Sequence, residues 1–264
     1  MTVALTNIHP TAVIDAGASL GNDVIVGPYC IIGDGVELGS RCVLHNHVSL
    51  TGPASIGENN EFYPHCAIGG RSQDLKYEAE PTYLNIGSGN TFREFVTVNR
   101  GTSQGDSTSI GNDGHFLAYS HVAHDCVVGN GVIFSNNGTL AGHVTVEDNA
   151  ILGGLSAIHQ FCRVGRHAIT GGCSKIVQDV PPFMIADGNP AQVRGVNTVG
   201  LQRHGFSEDQ IRALKQAYKV IFKRNLTLDE ALAELKGLYS GEGVECPVNE
   251  LIAFVEASQR GIIR

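Results

Sequence analysis

An apolar residue recurs at every sixth position along most of this chain, and no other feature limits its fold so sharply. From Ile8 the column runs through Ile14, Leu20, Val26, Ile32, Leu38, Leu44, Leu50, Ile56, Phe62 and Ile68, then resumes at Ile86 and continues in the same frame to Ile176. Of the 29 frame positions from 8 to 176, only Asp74, Glu80, Gln104 and Thr170 are neither aliphatic nor Phe. Gly follows the frame residue thirteen times, and the fourth position after it is nearly always small. Cys30, Cys42, Cys66, Cys126 and Cys162, five of the seven cysteines, fill that small slot and read as inward packing residues. With an odd number of Cys and no CxxC pair, neither a disulfide framework nor a structural zinc site is indicated.

Six residues are too few for a hairpin, but three such units can form the three short faces of a triangular coil of eighteen residues. Coils stack at the parallel-strand spacing of about 4.8 Å, and one coil cannot bury its apolar face without neighbours. The period therefore predicts a left-handed parallel β-helix of about ten turns from Ile8 to near Val180, against the usual right-handed crossover rule. The frame fails over 71–85 and 101–109, which read as loops leaving the prism, and such excursions tend to carry function. The repeat stops at Pro181-Pro182. Beyond it, Ser207-x-x-Gln210 and Thr227-x-x-Glu230 are capping boxes and Pro247 suits a first helical turn, which predicts helices over 208–224, 228–239 and 247–259. The fold class is mainly β with α: a β-helical domain over 1–192 and a small helical domain over 193–264 covering the end of the rod.

The formal charge of −8 argues against binding a nucleic acid by neutralising many phosphates. MTVALTNIHP lacks the features of a signal peptide, and no apolar run is long enough to span a membrane, so a cytoplasmic location is expected. The eleven His are uneven: His115, His121, His124, His143, His159 and His167 lie within 53 positions. Stacking by eighteen puts Gly142 above His124 and Gln160 above Gly142, with Asp125 beneath His143, so these residues and His159 should share one edge of the prism. The six His are read as one column. His124 faces out at a corner, whereas Cys126 points inward and is no candidate nucleophile. Two chemistries fit the edge at this point: a metal site, or a general base that activates a hydroxyl, its imidazole oriented by Asp125.

HVAHDCVVGN at 121–130, NNGTLAGHVTVED at 136–148, IHQFCRVG at 158–165, QDLKYEAEPT at 73–82, QDVPPFMIADGNPA at 178–191 and GLQRHGFS at 200–207 resemble the acyl-[acyl-carrier-protein]:UDP-N-acetylglucosamine O-acyltransferase family, hexapeptide-repeat enzymes that open lipid A synthesis. The likeness covers essentially the whole chain. It implies a homotrimer with sites in the grooves between neighbours, and transfer of an acyl group, 3-hydroxylated and near fourteen carbons long, from acyl carrier protein to the glucosamine 3-hydroxyl, with no covalent intermediate, metal or other cofactor. By the same resemblance His124 is the general base, Asp125 orients it and the Gly142 N–H receives the oxyanion. Gln73, Asp74 and Lys76 correspond to the sugar-nucleotide loop. His121, His143, His159, Gln160, Asn197 and Arg203 correspond to groove residues, and Gly172 to the position that sets acyl length. Asn99 stands where relatives usually have His, and His204 where many have a second Arg.

The acidic carrier requires a local positive strip, for which Arg163, Arg166 and Lys175 are the candidates. Two other readings compete. A zinc enzyme of the γ-carbonic-anhydrase kind uses the same fold, and a purely structural solenoid would show repetitive outward residues.

Overall fold

A computed structural model describes residues 7–241 and 246–264. Each hexapeptide supplies a short extended pair whose second member is the frame residue, and then turns. The pairs assemble into three parallel sheets, the walls of the prism, which begin at Asn7–Ile8, Val13–Ile14 and Ser19–Leu20. Frame residue meets frame residue on the next coil, as in Ile8↔Val26, Ile14↔Ile32 and Leu20↔Leu38. Inside, Phe62, Phe92, Phe116 and Phe134 stack with centroids 5.0, 4.8 and 4.9 Å apart, and the five predicted cysteines are buried beside the frame column.

Among the described residues the second wall holds nine strands and the third eight, so the prism has about nine coils instead of the ten expected. The shortfall lies in the excursions. Coils normally advance eighteen residues, but Ile68 pairs with Val98, 30 residues on, and Val98 with Val122, 24 residues on. The surplus of twelve and then six residues is a whole number of repeats, which is why the frame resumes in phase. Both excursions are shorter than the sequence suggests, because Tyr83–Ile86 and Ser107–Ile110 are paired strands of the third wall.

Corners are formed three places past the frame by a residue with left-handed backbone, such as Asp125 (φ 59°), His143 (φ 60°) and Phe161 (φ 65°). Glycine is concentrated elsewhere, directly after the frame residue, and for space. A Cβ on Gly27 would lie 2.7 Å from the His45 carbonyl oxygen, and one on Gly39 2.5 Å from the Gly57 carbonyl carbon.

At the far end Met184–Gly188 extends the first wall, and Ala191–Val196 folds back on it antiparallel, running across residue 192. A short helix that the sequence reading did not foresee, α1 (Thr198–Arg203), follows; the Asn197 side chain caps it by accepting from the Gly200 N–H. The capping boxes at Ser207 and Thr227 start α2 (Glu208–Lys223) and α3 (Leu228–Tyr239). The last helix, α4 (Pro247–Glu256), ends short of 259 because the chain turns back to the prism. Ser258 Oγ donates to Asp179 Oδ2 at 2.6 Å, and the Ile263 N–H to the Asp179 carbonyl at 3.0 Å.

This docking corrects the expected positive strip. Arg163 pairs with Glu147 at 2.7 Å and lies over the Phe254 ring, while Arg166 grips Glu250 through two bonds of 2.9 and 2.7 Å. Both guanidinium groups are neutralised and turned to the structural task of fastening α4, and Lys175 stands apart on the second wall. Among the described residues no helix is long and apolar enough to cross a membrane.

Candidate active site

The corner between the second and third walls carries the candidate chemistry. Val122 and Cys126 point inward, so the intervening His124 and Asp125 must leave the prism at the turn. Their side chains are only 13% and 7% exposed. Asp125 Oδ2 accepts from His124 Nδ1 at 2.7 Å, and Asp125 Oδ1 accepts from the Thr102 N–H at 3.1 Å. The Asp125 N–H donates to Thr108 Oγ1 at 2.8 Å, which fixes the turn itself. An ionised carboxylate only accepts, so the neutral His124 ring is held in the tautomer with its proton on Nδ1 and its lone pair on Nε2.

One coil above, Gly142 lies against the face of that imidazole. A Cβ there would sit 2.3 Å from His124 Cε1 and 2.6 Å from Nε2, so the position is open only to a residue without a side chain. At the corner between the third and first walls several amides two places past the frame are taken by a side-chain oxygen, as where Asn112 N–H donates to Asn130 Oδ1 at 2.8 Å and Asn130 N–H to Asp148 Oδ1 at 2.6 Å. Among the described residues nothing accepts from the Gly142 N–H. A base nitrogen and an unclaimed amide therefore stand side by side, the pair needed to deprotonate a hydroxyl and receive an oxyanion.

His143 stands directly over Asp125. Its Nε2 is 3.6 Å from Asp125 Oδ2, and its ring stacks on Phe161 with centroids 4.6 Å apart. His124, Asp125 and His143 each offer a ligand atom within 4.8 Å of the others and could hold a metal ion, although Asp125 Oδ2 is already engaged by His124 Nδ1.

A cavity of about 570 Å³ opens beside the corner on the second wall. Gln73, Asp74, His121, His124, Gly142, His159 and Gln160 line it, as does an apolar wall that includes Leu140, Ile158, Ile176 and Val177. The His121 ring contacts Thr97 Oγ1 at 2.7 Å; burial, then the neighbouring His124, holds its pKa below the usual imidazole value. Burial pushes the Cys126 thiol up to about 12, and the group donates to the Ala141 carbonyl, so it offers no thiolate. Sequence reasoning did not give Lys175 to this cavity. The signal was present, since Lys175 is one eighteen-residue step above Ala157 on the same outward column.

The remaining candidates lie elsewhere on this chain. Lys76 is exposed beyond Gln73 and Asp74, Gly172 is exposed at the corner between the first and second walls, and Asn197 and Arg203 are the N-cap and the last residue of α1 at the third corner. The single column of six His is also corrected. His115 lies on the first wall, facing out one place before Phe116, and His167 is buried against Phe183 and Phe206 at the corner between the third and first walls. Asn99, which stands where relatives usually have His, is buried and donates from Nδ2 to the Arg71 carbonyl at 2.9 Å, at the root of the first excursion.

A prism of hexapeptide coils with an imidazole–carboxylate pair and an unclaimed amide on one edge has the architecture of hexapeptide-repeat transferases, and residues 6–40 match the model of the bacterial transferase hexapeptide. Residues 179–263 match the second domain of UDP-N-acetylglucosamine O-acyltransferase. An acyl-[acyl-carrier-protein]–UDP-N-acetylglucosamine O-acyltransferase of Paraburkholderia xenovorans is 51% identical over 263 residues, 98% of this chain and 100% of the relative. The crystal structure of UDP-N-acetylglucosamine O-acyltransferase from Moraxella catarrhalis is 43% identical with a TM-score of 0.92, covering 97% of this chain and 99% of that one. An Arabidopsis UDP-N-acetylglucosamine acyltransferase is 36% identical with a TM-score of 0.86, covering 97% and 100%. The chain belongs to the acyl-[acyl-carrier-protein]–UDP-N-acetylglucosamine O-acyltransferase family. These relatives leave the carbonic-anhydrase alternative without support.

Proposed function

We propose that this chain moves a fatty acyl group from acyl carrier protein to the 3-hydroxyl of UDP-N-acetylglucosamine, the first step of lipid A synthesis. His124 Nε2 takes the hydroxyl proton as the oxygen attacks the thioester carbonyl. The Gly142 N–H receives the charge that develops on the carbonyl oxygen. Collapse expels the phosphopantetheine thiolate, and the imidazolium returns the proton to it. Asp125 holds the imidazole by its Nδ1 and favours its charged form during transfer. The scheme requires no covalent intermediate and no cofactor beyond the carrier's own arm. The observation that carries this reading is the 2.7 Å Nδ1–carboxylate bond beneath a ring seated against Gly142.

Gln73, Asp74, His121, His159 and Gln160 would seat the sugar nucleotide in the cavity. Lys76, Asn197 and Arg203 would reach it from the surface, and Gly172 would limit the acyl chain. Those last residues occupy different corners of one chain, so their participation supports a homotrimer in which each groove is bounded by two copies. A methylene contributes about 0.8 kcal/mol on burial; discrimination against a chain two carbons shorter is therefore only about fifteenfold, and longer chains must be stopped sterically. A Cβ at Gly172 would meet only the Gly154 carbonyl, at 3.5 Å, so the position is open as far as this chain is concerned. A sugar nucleotide and an acyl group borne on a carrier protein as substrates fit a cytoplasmic enzyme.

The test is to incubate the purified chain with UDP-N-acetylglucosamine and a panel of acyl carriers and to read products by mass spectrometry. The expected product is a mono-O-acyl sugar nucleotide substituted at the 3-hydroxyl, from an enzyme that sediments at three times the chain mass of 28.0 kDa. Thioester hydrolysis without sugar acylation for every carrier would overturn the proposal.

A further inference from the structure

We infer that the hydroxyls of Ser72 and Thr102 form a positioning link between the loop bearing Gln73 and Asp74 and the His124–Asp125 pair, so that the acceptor site and the base are set together. The inference rests on the acyltransferase reading above. Both excursions leave the prism from the second wall, after Ala67–Gly70 and Thr97–Asn99, and therefore emerge at the corner that carries Asp125, which lies two coils above the first and one above the second. Ser72 and Thr102 are 5% and 7% exposed, and their hydroxyl oxygens are 2.7 Å apart. On one side Ser72 Oγ accepts from the Asp74 N–H at 3.2 Å, while Asp74 Oδ1 accepts from the Lys76 N–H at 2.9 Å and shapes the loop tip. On the other side the Thr102 N–H donates to Asp125 Oδ1 at 3.1 Å, and Asp125 Oδ2 accepts from His124 Nδ1 at 2.7 Å. The path from Asp74 to His124 is continuous, and its middle is shielded from water, where lost hydrogen bonds are felt most.

The surroundings make this link matter. Among the described residues, four buried side-chain polar atoms lack a partner, and three of them, Thr82 Oγ1, Asn99 Oδ1 and Arg100 Nε, lie at the roots of the same excursions. Backbone bonds also join the excursions, from the Arg100 N–H to the Gly70 carbonyl at 2.8 Å, the Gly101 N–H to the Tyr83 carbonyl at 3.3 Å and the Gly105 N–H to the Pro81 carbonyl at 2.9 Å, as does the Asn99 bond to the Arg71 carbonyl, but none of these reaches Asp74 or Asp125 as the hydroxyl pair does. Thr102 divides its two roles between different atoms. Its backbone holds Asp125 and its hydroxyl holds Ser72, so replacing the hydroxyl by a methyl cuts the link and leaves the Asp125 bond in place. Neither residue lines the substrate cavity, so both act through others.

The experiment compares Thr102→Val, Ser72→Ala, their double variant and Thr102→Ser in the full chain. It measures kcat, the KM of each substrate, and hydrogen exchange over 71–82. Thr102→Val and Ser72→Ala should each raise the KM for UDP-N-acetylglucosamine by about 5- to 20-fold, the scale of one buried hydrogen bond, and leave the carrier KM within roughly twofold. The double variant should be no worse than the poorer single, as for two halves of one bond, and Thr102→Ser should stay near the parent. Exchange over 71–82 should quicken in Thr102→Val and not in Thr102→Ser. Parental kinetics in Thr102→Val, multiplicative losses in the double variant, or a Thr102→Ser as impaired as Thr102→Val would each overturn the link. Exchange needs no turnover: an inactive parent would sink the acyltransferase reading alone, whereas unchanged exchange in Thr102→Val of an active parent would sink the link alone.

Discussion

Replacing Gly142 by Ala probes the proposed site at its tightest point. The new methyl carbon would lie 2.3 Å from His124 Cε1, 2.6 Å from Nε2 and 3.0 Å from Nδ1, whereas ordinary contact begins at 3.4 Å. The imidazole must therefore retreat by about 1 Å, and a misplacement of that size costs about 10²-fold in rate. Its retreat is opposed by Asp125, which Thr102 and Thr108 hold at the turn, so the 2.7 Å bond to Nδ1 must stretch or break. Gly142 does not occupy the left-handed backbone region, so Ala adds no backbone strain and the fold should be kept. The expected result is a kcat lowered by about 10²-fold, equivalent to about 2.7 kcal/mol of barrier, with a KM for the sugar nucleotide within roughly threefold. Initial rates of acylated product by mass spectrometry give the first quantity, and thermal unfolding of the same sample checks the fold. A folded Gly142→Ala that retains most of the parental kcat would refute the reasoning, because the ring could not then be working where the structure seats it.

Three further outcomes follow from the same geometry. Asp125→Asn keeps the shape but removes the charge facing Nδ1, and should lower kcat by roughly 10²–10⁴, measured beside parent-like nucleotide binding. Cys126→Ala should leave kcat within roughly twofold and cost about 1–2 kcal/mol in chemical unfolding, since the thiol is buried packing and not a nucleophile. His167 should make stability depend on acid. Burial first, then the Arg166 cation and His204, hold its pKa down to about 4, so below about 6.5 the unfolded chain takes up a proton that the folded chain refuses. Stability should fall by about 3 kcal/mol between pH 6.5 and pH 4 on this account, and His167→Gln should lose that part of the slope in urea titrations.

The prism was legible because its cause is local: an inward aliphatic every sixth residue specifies wall, corner and register together. The same arithmetic brought His124, Asp125, Gly142, His143, His159 and Gln160 to one patch, since stacking by eighteen holds wherever no excursion intervenes. It went wrong for His115 and His167 because counting histidines ignores the wall each belongs to; their offsets from Phe116 and Val164 would have sent them to other faces. The boundaries of the excursions were blurred because Ser107 and Thr108 are polar yet pair as strand residues. Helix α1 is too short to show periodicity and depends on Asn197 as its cap, a residue better hidden than the Ser207 and Thr227 boxes. The pairing of Arg166 with Glu250 could not be read at all, because 84 residues and the docking of α4 lie between them. Ser72 and Thr102 looked like ordinary loop residues, for nothing in the sequence says that the two excursions meet.

The most direct test of the account is the rate of sugar acylation by His124→Ala measured beside the parent at saturating concentrations of both substrates. A general base at Nε2 predicts turnover lowered by roughly 10²–10⁴, with the fold and sugar-nucleotide binding intact. Parental turnover in a folded His124→Ala would contradict it.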